Sequence, residues 1–270
     1  MSNISVINNN GIAIVTLNNP PANVITIDLI NEINTFVLSL KDDSDTKIVI
    51  FKSSNENIFL AHLDLNLING TPDGQVGCIE FSHMIANIKA MSQATIAMVD
   101  GVARGGGNEF AMACDLAYGT ENAAFAQPEI NVNIPTGGQG SVQFARRMGK
   151  NKALQALLVG NDFTAQQAES LNIITQFVPQ SEIEDFVKTI AGTISRLEVR
   201  DIVMYKEITR AAVRDEGAGT ELELRHFLAR AKEEKTQTII RSFMNHGGQT
   251  DREATDFGGI FADVAAELSK

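Results

Sequence analysis

The sequence predicts an α/β fold followed by an α-helical C-terminal third. Three observations carry this prediction. Between Ile12 and Val99, β-branched strand runs alternate with segments of helical period, the signature of a right-handed parallel arrangement. Three consecutive glycines, Gly105 to Gly107, come soon after the last of these strands, where open α/β folds place their ligand sites. Beyond Glu182 no strand pattern recurs. The chain therefore divides into an α/β core over residues 1–195 and a helical region over 196–270.

Taken in order, Ser5–Val6 and Ile12–Leu17 flank Asn8-Asn-Asn-Gly11 and read as a hairpin. Asn18-Asn-Pro-Pro21 ends the second strand. From Ile27, the apolar residues Ile30, Ile33, Phe36, Val37 and Leu40 recur at helical spacing, giving an amphipathic helix to about Lys41. Lys47–Lys52 is a buried strand with charged ends, and Gly70 to Gly77 reads as a mobile loop. A helix is expected over roughly Val76–Met91 and a strand over Thr95–Val99. After Gly149, Ala153–Leu158 continues a helix. Thr164-Ala-Gln-Gln167 is a capping box, and Asn172 suits a left-handed helix end. Ile173–Val178 is the last expected strand. Helical stripes follow at Phe186, Val187, Ile190 and Ile194, then at Ile202, Val203 and Ile208. Thr220-x-x-Glu223 caps a third helix that reaches about Phe243.

The chemistry concentrates between Gly101 and Gly149. The run Phe110-Ala-Met-Ala-Cys114 favours helix, so the triple glycine sits at a helix start. There, bare backbone N–H groups can approach a ligand closely, and the helix dipole favours negative charge. Glu109 and Glu129 lie in the same stretch, which suggests acid/base chemistry on a substrate that develops an oxyanion. Tight turns and dipole-friendly surface glutamates are the plainer reading of the same residues. Dinucleotide and P-loop fingerprints are absent.

Composition narrows the partners. With 22 basic against 33 acidic residues, a net charge of −11 disfavours nucleic acid and anionic membranes. The Arg146-Arg147…Lys150 cluster could meet a phosphate or simply complement a helix C-terminus. Cys78 and Cys114 have no metal spacing, so free thiols, a reducing compartment and no metal site are expected. No signal or apolar spanning segment is visible, which makes a cytoplasmic location the default expectation.

Six motifs in order resemble the enoyl-CoA hydratase/isomerase (crotonase) family over roughly residues 10–180. They are Asn18–Asn23, Phe59-Leu-Ala-His-Leu-Asp64, Gly105-Gly-Gly-Asn-Glu109 with Ala113-Cys-Asp115, Phe125-Ala-Gln-Pro-Glu129, Gly137-Gly-Gln-Gly140 and Thr164–Val178. The resemblance implies a crotonase-like ββα spiral core. The helical C-terminal region would serve trimerisation, giving a homotrimer or a dimer of trimers. It also implies that the main-chain N–H groups of Gly106 and Leu63 form an oxyanion hole for an acyl-CoA thioester. Glu109 and Glu129 would hold a water between them and add it syn across a 2,3-double bond. Ala61, His62, Asp64, Gly105 and Gly137 would line the substrate or CoA site, with coenzyme A as part of the substrate and no separate cofactor. His62 stands where the family usually has glycine; it is either a packing residue or one that narrows the pocket or adds a donor. The C-terminal Thr255-Asp-Phe-Gly-Gly-Ile-Phe-Ala also departs from the family pattern. Isomerisation or hydrolysis of an acyl-CoA, or a non-catalytic binding role, are the alternatives.

Overall fold

The computed structural model describes residues 2–211, 224 and 227–269. Two sheets are threaded by one spiral. The larger has the order β1 (Ile4–Asn9), β2 (Ile12–Leu17), β3 (Ile48–Ser53), β5 (Ala94–Val99), β7 (Leu116–Gly119) and β10 (Gln176–Phe177). The smaller has the order β4 (Ile58–Leu60), β6 (Val102–Arg104), β8 (Ala124–Ala126) and β9 (Phe163–Thr164). Among the described residues only β1–β2 and β8–β9 pair antiparallel; the other ladders are parallel. Each of the strand pairs β3–β4, β5–β6 and β7–β8 places one strand in each sheet before the chain enters a helix. This is the expected ββα spiral.

The hairpin forms with Ile4 opposite Leu17, and Asn10 and Gly11 take the positive φ that such a turn needs. Helix α1 (Ile27–Ser39) starts at Thr26, whose side chain accepts from the Leu29 N–H. It buries Ile30, Ile33 and Val37, with Leu40 buried at its C-terminal end. Each such side chain contributes about 1.5–3 kcal/mol by leaving water.

Helix α2 spans Pro72–Ala90, so the expected loop over residues 70–77 is corrected: the helix opens four residues earlier than its apolar pattern suggests. Thr71 caps it, with its hydroxyl accepting from the Gly74 N–H. Gly74 and Gly77 are present for proximity. A Cβ on Gly74 would lie 2.4 Å from the Leu67 carbonyl, and one on Gly77 would press on the Leu67 side chain.

Helices α3 (Gly106–Ala113), α4 (Gly140–Met148), α5 (Lys150–Val159) and α6 (Ala165–Ser170) complete the core. The Thr164–Gln167 capping box forms in both directions, and Asn172 adopts φ +57°. The strand expected over Ile173–Val178 shrinks to Gln176–Phe177. The N–H groups of Ile173 and Ile174 are drawn to the Ala168 carbonyl at the end of α6.

Helix α7 (Ile183–Ile194) covers the far face of the larger sheet. Its Val187 and Ala191 pack with Ile48, Ile50, Ile96, Met98 and Tyr118, joined by Ile202 of α8 (Val199–Ala211). The Ile208 side chain and the Thr220/Glu223 cap lie outside the described residues. The third expected helix is broken at Lys232–Glu233, between helical residues 227–231 and α9 (Glu234–Asn245), because Glu233 is extended. Two further helices, α10 (Asp251–Thr255) and α11 (Phe257–Leu268), return the chain to the core. Among the described residues no helix is long and apolar enough to cross a membrane.

Candidate active site

The triple glycine sits where β6 turns into α3. Gly105 takes φ +50°, and a Cβ on Gly107 would lie 1.9 Å from the Leu60 carbonyl. The helix start is thereby pressed against the segment after β4. A Cβ on Gly106 would lie 2.9 Å from the Leu63 nitrogen, so these two peptides face each other across a gap that only glycine leaves open. Leu63 is fixed by a parallel bridge to Ile25: Ile25 N donates to His62 O (2.8 Å) and Asp64 N donates to Ile25 O (3.0 Å). In a trans peptide the C=O and N–H point oppositely. With His62 O turned to Ile25, the Leu63 N–H is directed away from that bridge. Among the described residues, neither the Leu63 nor the Gly106 N–H has a protein acceptor.

Glu109 is buried one helical turn into α3. Its Oε1 accepts from Gly138 N (2.8 Å) and Gly140 N (2.7 Å), which draws the glycine loop around the carboxylate. Glu129 opens the 3₁₀ turn Glu129–Val132 and faces Gly105, where a Cβ would lie 3.1 Å from its Oε1. With its NH₂ turned toward Glu129, the buried Gln127 amide donates to both carboxylate oxygens, at 2.8 and 3.1 Å. Its oxygen then accepts from Asn108 Nδ2 at 3.3 Å. Gln127 lies within a motif quoted above, but its hold on Glu129 depends on the β8-to-turn geometry, which the spacing alone does not reveal.

Glu109, Glu129, Leu63, Gly105, Gly106, Gly137 and His62 all line one cavity of about 50 Å³, room for a few water molecules. Ala61 and Asp64 do not reach it. Ala61 packs with Ala22, Val24 and Ile58, while Asp64 caps the turn Leu65–Leu67 and accepts from Gln249 Nε2 at 2.9 Å. The remaining wall is apolar, with Phe81, Phe227, Phe243, Phe257 and Phe261 dominating. The last four come from the C-terminal third, too far apart in sequence to be read as one wall.

His62 is neither free nor merely packed. Nδ1 lies 2.9 Å from Leu63 O, and Nε2 lies 2.8 and 3.0 Å from the two carboxylate oxygens of Glu253 on α10. Burial alone would depress its pKa. The Glu253 charge and hydrogen bond, the Leu63 carbonyl and Asp64 outweigh burial and hold it above its ordinary value. For Glu253, burial pushes upward. The His62 charge and hydrogen bond, the Gln249 N–H and Arg104 outweigh that and hold it below the carboxylate norm.

Two other sequence readings resolve as structural. Arg147 donates to the carbonyls of Met112, Asn172 and Ile173, so it ties helix ends together. Burial pushes the Cys78 thiol up to about 12 and raises Cys114 further, so neither supplies a thiolate near neutral pH.

Residues 7–250 match the enoyl-CoA hydratase/isomerase family. A probable enoyl-CoA hydratase of Mycobacterium bovis is 31% identical over 202 residues, covering 74% of this chain and 78% of that protein. The crotonyl-CoA hydratase of Syntrophomonas wolfei is 31% identical over 190 residues, covering 68% and 72%. The crystal structure of a putative enoyl-CoA hydratase from Streptomyces avermitilis superposes with a TM-score of 0.91 at 30% identity, covering 98% and 99%. With its two-sheet spiral and this match across most of its length, the chain belongs to the enoyl-CoA hydratase/isomerase family.

Proposed function

We propose that the protein hydrates a 2-enoyl-CoA thioester, adding water syn across the 2,3-double bond. The observation that carries this is the convergence of two carboxylates and two uncommitted main-chain N–H groups on one apolar cavity. Water is a weak nucleophile. One carboxylate takes a proton from it as its oxygen bonds to the β-carbon, and the other, as an acid, delivers a proton to the α-carbon. Negative charge that develops on the thioester oxygen meets the Leu63 and Gly106 N–H groups, each donor of this kind being worth about 2.7–4 kcal/mol. The apolar wall excludes water from the rest of the cavity and strengthens those interactions. Relatives at about 30% identity that are named as hydratases support the same reading.

Loss of the enoyl absorbance of crotonyl-CoA tests it, with mass analysis of the product. Hydration adds one water, isomerisation adds nothing, and hydrolysis splits the thioester. Equal rates for wild type and Glu129→Gln would remove the carboxylate mechanism. We also propose assembly into a homotrimer or dimer of trimers through the helical C-terminal region. The exposed Leu197, Met204 and Tyr205 at and before α8 support this. Light scattering that returns a monomer would exclude it.

A further inference from the structure

His62 lines the cavity but cannot serve as its general base. Both ring nitrogens face acceptors, Leu63 O and the Glu253 carboxylate, and an imidazole donates from both nitrogens only as the cation. No ring lone pair is left to take a proton from water. The ring instead closes a loop of covalent and hydrogen bonds from its own Cα, through the peptide that carries the Leu63 N–H, to the Leu63 carbonyl. Ile25 holds the same peptide from the opposite side through His62 O.

The far end of this clamp belongs to the C-terminal region. Glu253 is 2% exposed and 191 residues from His62 in sequence. It also accepts from Gln249 N at 2.7 Å. The same short stretch meets the core at two further points. Arg104 Nη1 donates to Glu253 O (3.0 Å), and Gln249 Nε2 donates to Asp64 beside Leu63 (2.9 Å). Phe257 and Phe261, which wall the cavity, follow directly in the chain, and Phe257 lies under the Arg104 guanidinium at 3.8 Å.

We propose that His62 is a positioning residue for the Leu63 oxyanion donor, set by Glu253, so that docking of α10 and alignment of the donor are one event. This rests on the oxyanion role given to Leu63 above. Closing the aromatic wall over the acyl group and completing the oxyanion hole are then coupled, and the site is competent only when covered. The charged groups facing His62 are Glu253 from α10 and Asp64 from its own segment. Arg104 with Asp162 lies behind Glu253, Glu129 lies across Gly105, and Glu109 lies across the cavity. Of these, Glu253 alone contacts the ring as an ion pair.

The test is Glu253→Gln, which keeps size and an acceptor oxygen while removing the charge. The kcat for crotonyl-CoA should fall about tenfold, a fraction of the 10²–10³ that losing an oxyanion donor costs, with KM little changed. The alkaline limb of the kcat–pH profile should move to lower pH. His62→Gln should remove that limb, and the double variant should be no worse than the poorer single one. Glu267→Gln breaks contacts of α11 with Ser242 on α9 and with His246 at its C-terminal cap, at a residue that does not line the cavity, and should leave the profile in place. An unshifted profile in Glu253→Gln overturns the proposal, as does an equal shift in Glu267→Gln, which would indicate general loosening. An NMR titration of the His62 ring, assigned with His62→Gln, separates this from the hydratase reading. If crotonyl-CoA is not turned over at all, the hydratase reading fails. A His62 titration unchanged by Glu253→Gln overturns the clamp in either case.

Discussion

A Cβ on Gly106 would stand 2.9 Å from the Leu63 nitrogen and 3.1 Å from the Phe81 ring. The gap between these two peptides exists because residue 106 has no side chain. In the proposed reaction it would admit the thioester oxygen between these two N–H groups.

Gly106→Ala therefore places a methyl group at that point. The expected outcome is a 10²–10³-fold loss in kcat/KM for crotonyl-CoA, since the oxygen can no longer reach both donors. Overpacking should also destabilise the fold by about 1–3 kcal/mol, small enough to leave a cooperative melt by circular dichroism. A folded variant with wild-type turnover would show that the gap is not the oxyanion site.

Glu109 holds the glycine loop in addition to the acid/base role proposed for it, and substitution can separate the two. Its Oε1 accepts from Gly138 and Gly140. Glu109→Gln keeps an acceptor for them and should unfold in urea within about 1 kcal/mol of wild type. Glu109→Ala leaves both buried N–H groups without that acceptor and should cost about 1–3 kcal/mol for each. Both variants should lose roughly 10²–10⁴ in hydration rate. Equal stabilities would mean that the loop over 138–140 is held by something other than this carboxylate.

What was legible in the sequence is what local chemistry fixes. The Thr164 capping box, the left-handed Asn172 and the apolar face of α1 depend on neighbours within one or two helical turns. The motif pairs Leu63/Gly106 and Glu109/Glu129 do reach one cavity. Gly74 and Gly77 misled because glycine signals flexibility and close packing alike; here they pack α2 onto Leu67, and in the structure Thr71 caps the helix with Pro72 at its first position. The Ile173–Val178 run is a strand only at Gln176–Phe177 because α6 captures its first N–H groups. The aromatic wall and the His62–Glu253 pair could not be read, since they join residues that only the tertiary fold brings together.

Arg104 tests how firmly the C-terminal helices are held. Its Nε and Nη2 grip Asp162 at 2.8 and 2.6 Å, Nη1 reaches Glu253 O, and its face covers Phe257. Arg104→Lys keeps the charge but can satisfy only part of this fork. We expect a loss of about 1–3 kcal/mol in chemical denaturation with the net charge unchanged. An unchanged midpoint would place the stability of this junction in the phenylalanine cluster alone.

The His62–Glu253 pair gives stability a pH dependence of definite sign. His62 is raised from 6.5 in the folded protein, so its contribution is fully present below 6.5 and is lost as pH rises through the folded value. Glu253 is lowered from 4.5, so its contribution is present above 4.5 and is lost as pH falls through its folded value. The two overlap fully between 4.5 and 6.5. Thermal melts of wild type and Glu253→Gln should differ most inside that window. The difference should narrow on the alkaline side as His62 gives up its proton. A gap that stays constant from mildly acid to mildly alkaline pH would mean the pair acts through packing rather than charge.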